Sequence, residues 1–302
     1  MGATVSGYTF EDINDLVQYI KKAKTSTLFK GQECSSKKKK TSSFHDFETF
    51  DEAIKALEFG TDLYFNRFKH SVRKVEDIIT KKEKYNNTNF KNDIVGFVPL
   101  VANAVLGIPK NMINQEKRVK PFPTAKIFLE KSNSACIDSD DMCDYYAIIF
   151  VLIQLLEKRG IRCEVWNVAS FFEGGYDNDD EIVACKVKLK GYMQPLNVYK
   201  IQFPIIATDY FRRIMFRILE TTENLKNSWT WGYGHPLIRE SGYELESDGK
   251  PTKGLKDALN LDDTDIYIPS CQYFDYHSGD NLDKIISKLI KCTNLHNYIR
   301  FE

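Results

Sequence analysis

The stretch FLEKSNSACIDSDD, residues 128–141, decides how the chain is read. The apolar-rich run Ala125–Leu129 ends inside it, and polar side chains follow at alternate positions: Glu130, Ser132 and Ser134. A short apolar run that turns abruptly polar reads as a buried β-strand leaving its sheet. Asp140–Arg159 then reads as a helix. Its segment Ile148–Ile153 is apolar on every side, so neighbours must cover it widely. Lys158 and Arg159 in the last turn, with Gly160 after them, form the stop. Arg162–Phe172 reads as a second strand. Strand, helix, strand calls for a parallel crossover with helices covering the sheet. The expected fold class is therefore α/β: a Rossmann-like, mostly parallel sheet flanked by helices, with an α-helical N-terminal region.

Outward from this unit, Glu181–Lys190 alternates between one buried and one wet face, as an edge strand does. Asn197–Phe203 reads as a further strand, Asp209–Glu220 as a helix, Asp265–Pro269 as a strand and Leu282–Ile290 as a final helix. Residues 1–95 read as helical. Phe10–Lys24 carries apolar residues at 10, 13, 16, 17 and 20, with Thr9 and Asp12 in a capping arrangement. FDEAIKALEFG (50–60) is a short helix ended by Gly60. From Val95 to Pro123 glycines and prolines punctuate a connection. The division expected is 1–95 helical, 96–124 connecting and 125–302 α/β. The apolar PLVANAVLGIPKNMI (99–113) is expected to pack the helical region onto the sheet; if exposed, it is a partner surface.

The bulk numbers exclude several classes. Lysine plus arginine and aspartate plus glutamate each count 42, so there is no whole-molecule basic footprint for nucleic acid. No apolar run approaches the ~20 residues that span a bilayer, and the N-terminus lacks a signal-peptide pattern. Seven dispersed cysteines without C-x-x-C read as free, mostly buried thiols. Phosphate-loop, dinucleotide and zincin motifs are absent.

In an open α/β sheet ligands sit beyond the carboxyl ends of the strands. Ten carboxylates are expected on that rim: Glu130, Asp138, Asp140, Asp141, Asp144, Glu173, Asp177, Asp179, Asp180 and Glu181. Their repulsion invites a neutralising partner, which could be a helix amino terminus, a divalent cation or a basic surface. Mg²⁺ is the cofactor such a loop admits, since a carboxylate and two hydroxyls at i, i+2 and i+4 can face one ion. In the plainer reading Asp138 or Ser139 caps the helix and the serines are loop residues.

The order strand, E-x-S-x-S, long helix, strand, antiparallel strand, helix, strand, helix over residues 125–292 resembles a von Willebrand factor A-like domain. In that family the first motif is Asp-x-Ser-x-Ser and binds a metal through which a partner's carboxylate is gripped. The resemblance implies that Glu130, Ser132 and Ser134 hold the first motif's places, and Thr208 that of the second loop's threonine. Glutamate here replaces the aspartate, and the third motif's aspartate is not next to its strand; Asp275 comes five residues after Ser270. FHDFETFDEAIKALEFG (44–60) and DIVGFVPLVANAVLGIPKNMIN (93–114) are similar to uncharacterised proteins of bacteriophages and prophages. That similarity implies a host-cytoplasm setting, with the virion as the second setting.

The expected function is an accessory protein, not an enzyme, contacting a phage or host protein through the rim of Asp138, Asp140, Asp141, Asp179 and Asp180. The alternatives are a Mg/Mn-dependent phosphoester hydrolase using the same carboxylates, and a single-stranded nucleic-acid binder. The binder would use Lys37–Lys40, in a segment (21–40) with eight lysines and one acid, together with Trp229 and Trp231. The plain readings are a mobile solvated loop for the lysines and a core plug for SWTWGYGHPL (228–237). His235 and His277 have no nucleophile placed beside them.

Overall fold

The computed structural model describes residues 4–29, 34–40, 43–82, 90–96, 98–115, 123–173, 181–222, 235–236, 251–274 and 282–299. In chain order these form β1 (Thr4–Phe10), α1 (Ile13–Lys22), α2 (Phe50–Phe59), α3 (Phe65–Lys82), β2 (Phe90–Asp93), β3 (Val98–Pro99), α4 (Val101–Val105), β4 (Met112–Gln115), β5 (Thr124–Glu130) and α5 (Ser139–Lys158). Then come β6 (Arg162–Glu173), β7 (Glu181–Lys190), α6 (Val198–Ile206), a π-helical turn (Tyr210–Met215), α7 (Phe216–Thr221), β8 (His235–Pro236), α8 (Lys253–Leu259), β9 (Ile266–Ile268) and α9 (Leu282–Cys292). The chain is α/β, with a main sheet ordered β1-β7-β6-β5-β9 and β8 pairing with the end of β6. β5 is internal and parallel to both β6 and β9; β6 and β7 are antiparallel; β1 is parallel to β7.

Alternation along the strands gives the sheet two buried faces. On one, Ile127, Leu129, Val165 and Ala169 join the large core with α5, and on the other Phe128, Trp166, Val168, Ala184 and Tyr267 pack beneath α8 through Leu255 and Leu259. The large core runs from Phe10 through Leu57 and Val75 to Ile299, so both ends of the chain contribute to it. α5 is buried on nearly all sides because α3, α6 and the sheet surround it. Gly60 ends α2 at φ 93°, where a β-carbon would lie 2.5 Å from the Tyr199 ring.

Five expectations are corrected. Residues 4–10 are not helical; they form β1, whose backbone pairs with β7, a tertiary partner invisible to local pattern. The cap of α1 is Asp12, which accepts from the Asp15 amide at 2.8 Å, while Thr9 lies in the strand. β7 is not the edge; β1 covers it, and Ala184 on its supposedly wet face is buried under α8. Asn197–Phe203 is not a strand. Its β-branched and aromatic residues sit in α6, where Asn197 caps the helix and the large core buries Ile201, Phe203, Ile205 and Ile206.

The segment 99–113 does not wedge the helices onto the sheet. With β2 it builds a separate three-stranded sheet, ordered β2-β4-β3, and α4 buries no residue.

Candidate functional site

β5 ends at Glu130 and Lys131 follows it, the two adjacent ionisable side chains going to opposite faces. Glu130 is fully buried. Its Oε1 accepts from the Ser132 amide (2.9 Å), Ser132 Oγ (2.6 Å) and the Ser170 amide (3.1 Å), and its Oε2 accepts from Tyr267 Oη (3.0 Å). Burial raises its carboxyl above the ordinary range, and the bonds from Ser132 and Ser170 oppose that shift.

Lys131 lies on the other face. Its Nζ donates to the Ile205 carbonyl (2.6 Å) and stands 3.4 Å from the centroid of the Tyr146 ring. Asn167 Nδ2 donates to the neighbouring Pro204 carbonyl (2.5 Å). Together they satisfy orphan carbonyls at the C-terminus of α6, where a cation also suits the helix dipole. Asn133 finishes the turn: its Nδ2 donates to the Lys131 carbonyl and Tyr146 Oη, and its Oδ1 accepts from Cys271 Sγ.

The structure therefore brings Glu130 and Ser132 together but turns the rest of the proposed metal set elsewhere. Ser134 Oγ accepts from the Cys136 amide, and Thr208 Oγ1 donates to the Phe44 carbonyl. Protein donors occupy both Glu130 oxygens. Among the described residues no group of three His, Cys, Asp or Glu side chains could hold a metal ion.

On the expected acidic rim, Asp138 caps α5 by accepting from the Asp140 amide, and Asp141 is buried. Asp140 and Asp144 are bridged by Arg67 of α3, at 2.6 and 2.8 Å. For Asp140 and Asp144 the neutralising group is therefore a residue of the same chain. Asp177, Asp179 and Asp180 lie outside the described residues, as do Trp229, Trp231, His277 and Asp275. His235 is placed in β8. Of the seven cysteines, all free, Cys143, Cys163, Cys185 and Cys271 are buried.

With this geometry in place, comparison adds one finding. The chain matches the family model described as a domain of unknown function (DUF7192) over residues 3–294. It belongs to that family. No curated protein and no solved structure matches it.

The DUF7192 chain has a second buried centre that sequence reasoning missed. Asp209 Oδ2 accepts from the amides of Asp46 (2.8 Å) and Phe47 (2.7 Å). Arg213 bonds Asp209 through Nε (3.1 Å), the Ser36 and Lys38 carbonyls through Nη1 and the Phe47 carbonyl through Nη2. Glu220 accepts from the amide and hydroxyl of Ser36, with Arg217 Nη1 at 3.5 Å. Burial pushes the Asp209 carboxyl up to about 6, against the pull of its amide donors and Arg213. These charges bind the described residues 34–40 and 43–48 to the π-helical turn and α7, so Lys37–Lys40 belongs to a tethered segment. The signal was available: YFRRIMFRILE sets charges three and four apart within an otherwise apolar helix, where they must pair to be buried.

Lys131 gives a pH prediction. Burial lowers its ammonium to about 7 from an ordinary 10.5. A base depressed in the folded state leaves the unfolded chain holding more protons between those values, so stability rises with pH across that window. Wild-type unfolding free energy, measured by denaturant titration, should gain roughly 2–3 kcal/mol over Lys131→Met between pH 7 and 10. Parallel pH curves for the two proteins would show that Lys131 is buried in its charged form.

Proposed function

We propose that the chain is a non-enzymatic accessory protein that grips a protein partner through the apolar face of its small sheet unit. The observation carrying this is that no described side chain between residues 92 and 114 is buried. Ile94, Val95, Val101, Val105 and Leu106 are 67% to 81% exposed. Apolar area of that kind stays in water only at a cost of about 25 cal/mol per Å², and contiguous patches mark interaction sites.

Charge argues for a protein as occupant. Between residues 90 and 115 the charged side chains are Lys91, Asp93 and Lys110. An anionic membrane or a nucleic-acid backbone would call for a basic cluster. An apolar, weakly charged protein surface needs none.

The von Willebrand A-like reading of the main sheet is supported by the order β5, E-x-S-x-S, α5, β6, antiparallel β7, α6, β9, α9. The phage or prophage setting rests on the likeness carried by residues 44–60 and 93–114. We favour the 94–108 face over the rim as the partner surface because, among the described rim carboxylates, Asp138 serves the cap, Asp140 pairs with Arg67 and Asp141 is buried.

The test is the double variant Val101→Asp/Val105→Asp. Both positions are exposed, so its unfolding free energy should stay within about 0.5 kcal/mol of wild type. A photo-crosslinker at Val105 should join a second protein in the native host, and the double variant should lose that protein in pull-downs. Equal capture by wild type and variant would remove the face from the interface. Concentration-dependent self-association in light scattering, abolished by the variant, would assign it to a second copy instead.

A further inference from the structure

A cavity of about 170 Å³ lies between the tethered lysine segment and the π-helical turn. Ser35, Lys38, Phe44 and His45 line it from one side, and Arg212 and Phe216 from the other. Ala135, an exposed residue in the loop leaving β5, also lines it. That loop issues from the carboxyl end of the central strand, where β6 lies to one side of β5 and β9 to the other. Such a divergence point is where open α/β sheets hold ligands.

The lining is cationic and contains no carboxylate. Arg212 is its centre. The guanidinium carbon stands 4.9 Å from the Phe44 ring centroid, 5.3 Å from Phe216 and 5.6 Å from Phe211. These rings hold the cation in place without accepting its hydrogen bonds. Arg212 Nη2 is buried and has no hydrogen-bond partner among the described residues. Arg213, its neighbour in sequence, donates four hydrogen bonds, with at least one from each of its nitrogens. A buried N–H without an acceptor is costly, more so when charged, so this nitrogen would gain from an oxygen acceptor.

The surroundings show the same sign. Burial lowers the His45 imidazole to about 4, and the charges of Arg213, Arg212 and Lys40 add to that shift. Burial lowers the Arg212 guanidinium to about 10. The net positive field would relax if an anion entered.

We propose that this cavity binds the terminal phosphate of a small phosphorylated molecule. Arg212 would offer a planar fork, Lys38 a point charge, and Ser35 and His45 short polar donors, a set that suits a tetrahedral oxyanion. The volume admits a phosphate and a few further heavy atoms, and the faces of Phe44 and Phe216 suit a small organic group.

Inorganic phosphate, glycerol phosphate and AMP, titrated by calorimetry into the full chain at fixed ionic strength, test the proposal. Potassium chloride is the control. Saturable phosphate binding is expected, weakened at least tenfold in Arg212→Gln and in Lys38→Gln and unchanged in Lys39→Gln, which lies outside the cavity. The two organic arms show whether the glycerol or the nucleoside is accommodated. Lys38→Gln stands alone if Arg212→Gln fails to fold, since Lys38 is half-exposed on its loop. A response no greater than that to chloride overturns the site. So does equal weakening by Lys39→Gln, or tighter binding of an oligonucleotide lacking a terminal phosphate, since both describe diffuse attraction to the lysine run.

Discussion

Replacing Arg213 with methionine should lower the unfolding free energy by about 3–5 kcal/mol, the range for breaking a buried ion pair from one side. Arg213 is fully buried and donates to Asp209 and to the carbonyls of Ser36, Lys38 and Phe47. Methionine fills much of the volume but supplies no donor. Three carbonyls lose a partner, and the Asp209 carboxylate keeps only the amides of Asp46 and Phe47. Two measurements check this. Denaturant titration gives the loss of stability. Limited trypsin digestion should then cut within Lys37–Lys40 faster than in wild type, because the backbone of that segment is no longer tied to the π-helical turn. Unchanged cleavage with lowered stability would mean that Glu220 and Ser36 alone hold the segment.

Glu130→Ala should cost a similar amount, about 3–5 kcal/mol. The substitution orphans the amides of Ser132 and Ser170 and the hydroxyls of Ser132 and Tyr267, and each unsatisfied buried donor costs about 1–3 kcal/mol before water enters the gap. Glu130→Gln should fall between wild type and alanine. Its carbonyl oxygen can accept from the Ser132 and Ser170 side, while its amide group meets the Tyr267 hydroxyl. A metal-site role predicts the opposite order of readouts: little loss of stability without cation, and loss of a cation-dependent gain in the variant. Unfolding curves of the three proteins with and without millimolar Mg²⁺ separate the two.

The E-K-S-N-S turn shows how far local reading reaches. Its placement at the end of a parallel inner strand, and the cap Asp138 that follows, are legible because both depend on residues close in sequence. What the turn does is not legible. Besides Ser132 in the turn itself, the partners of Glu130 come from β6 and β9, and those of Lys131 from α5 and α6. A carboxylate and two hydroxyls at alternate positions look the same whether they face an ion or a neighbour's amide. The same limit applies to the acidic rim, since Arg67 reaches Asp140 and Asp144 from a helix more than seventy residues away.

Secondary structure failed where tertiary pairing outweighed propensity. TVSGYTF became a strand because β7 offered it a backbone ladder, and NVYKIQF became a helix because an Asn cap and a large core claimed it. The apolar 99–113 segment was read as buried because apolarity alone does not say whether anything covers it.

By itself the sequence determined the class of the fold, its central β-α-β unit and most helix ends. Periodicity, capping side chains and glycine stops act within a few residues, and the chain carries that information locally. Only the folded molecule decided which ionisable groups meet. Glu130 became an internal acceptor, Arg213 a tie for the lysine segment and Arg212 a cation whose Nη2 meets no acceptor among the described residues, because burial and hydrogen-bond partners depend on distances in space that no spacing along the chain specifies.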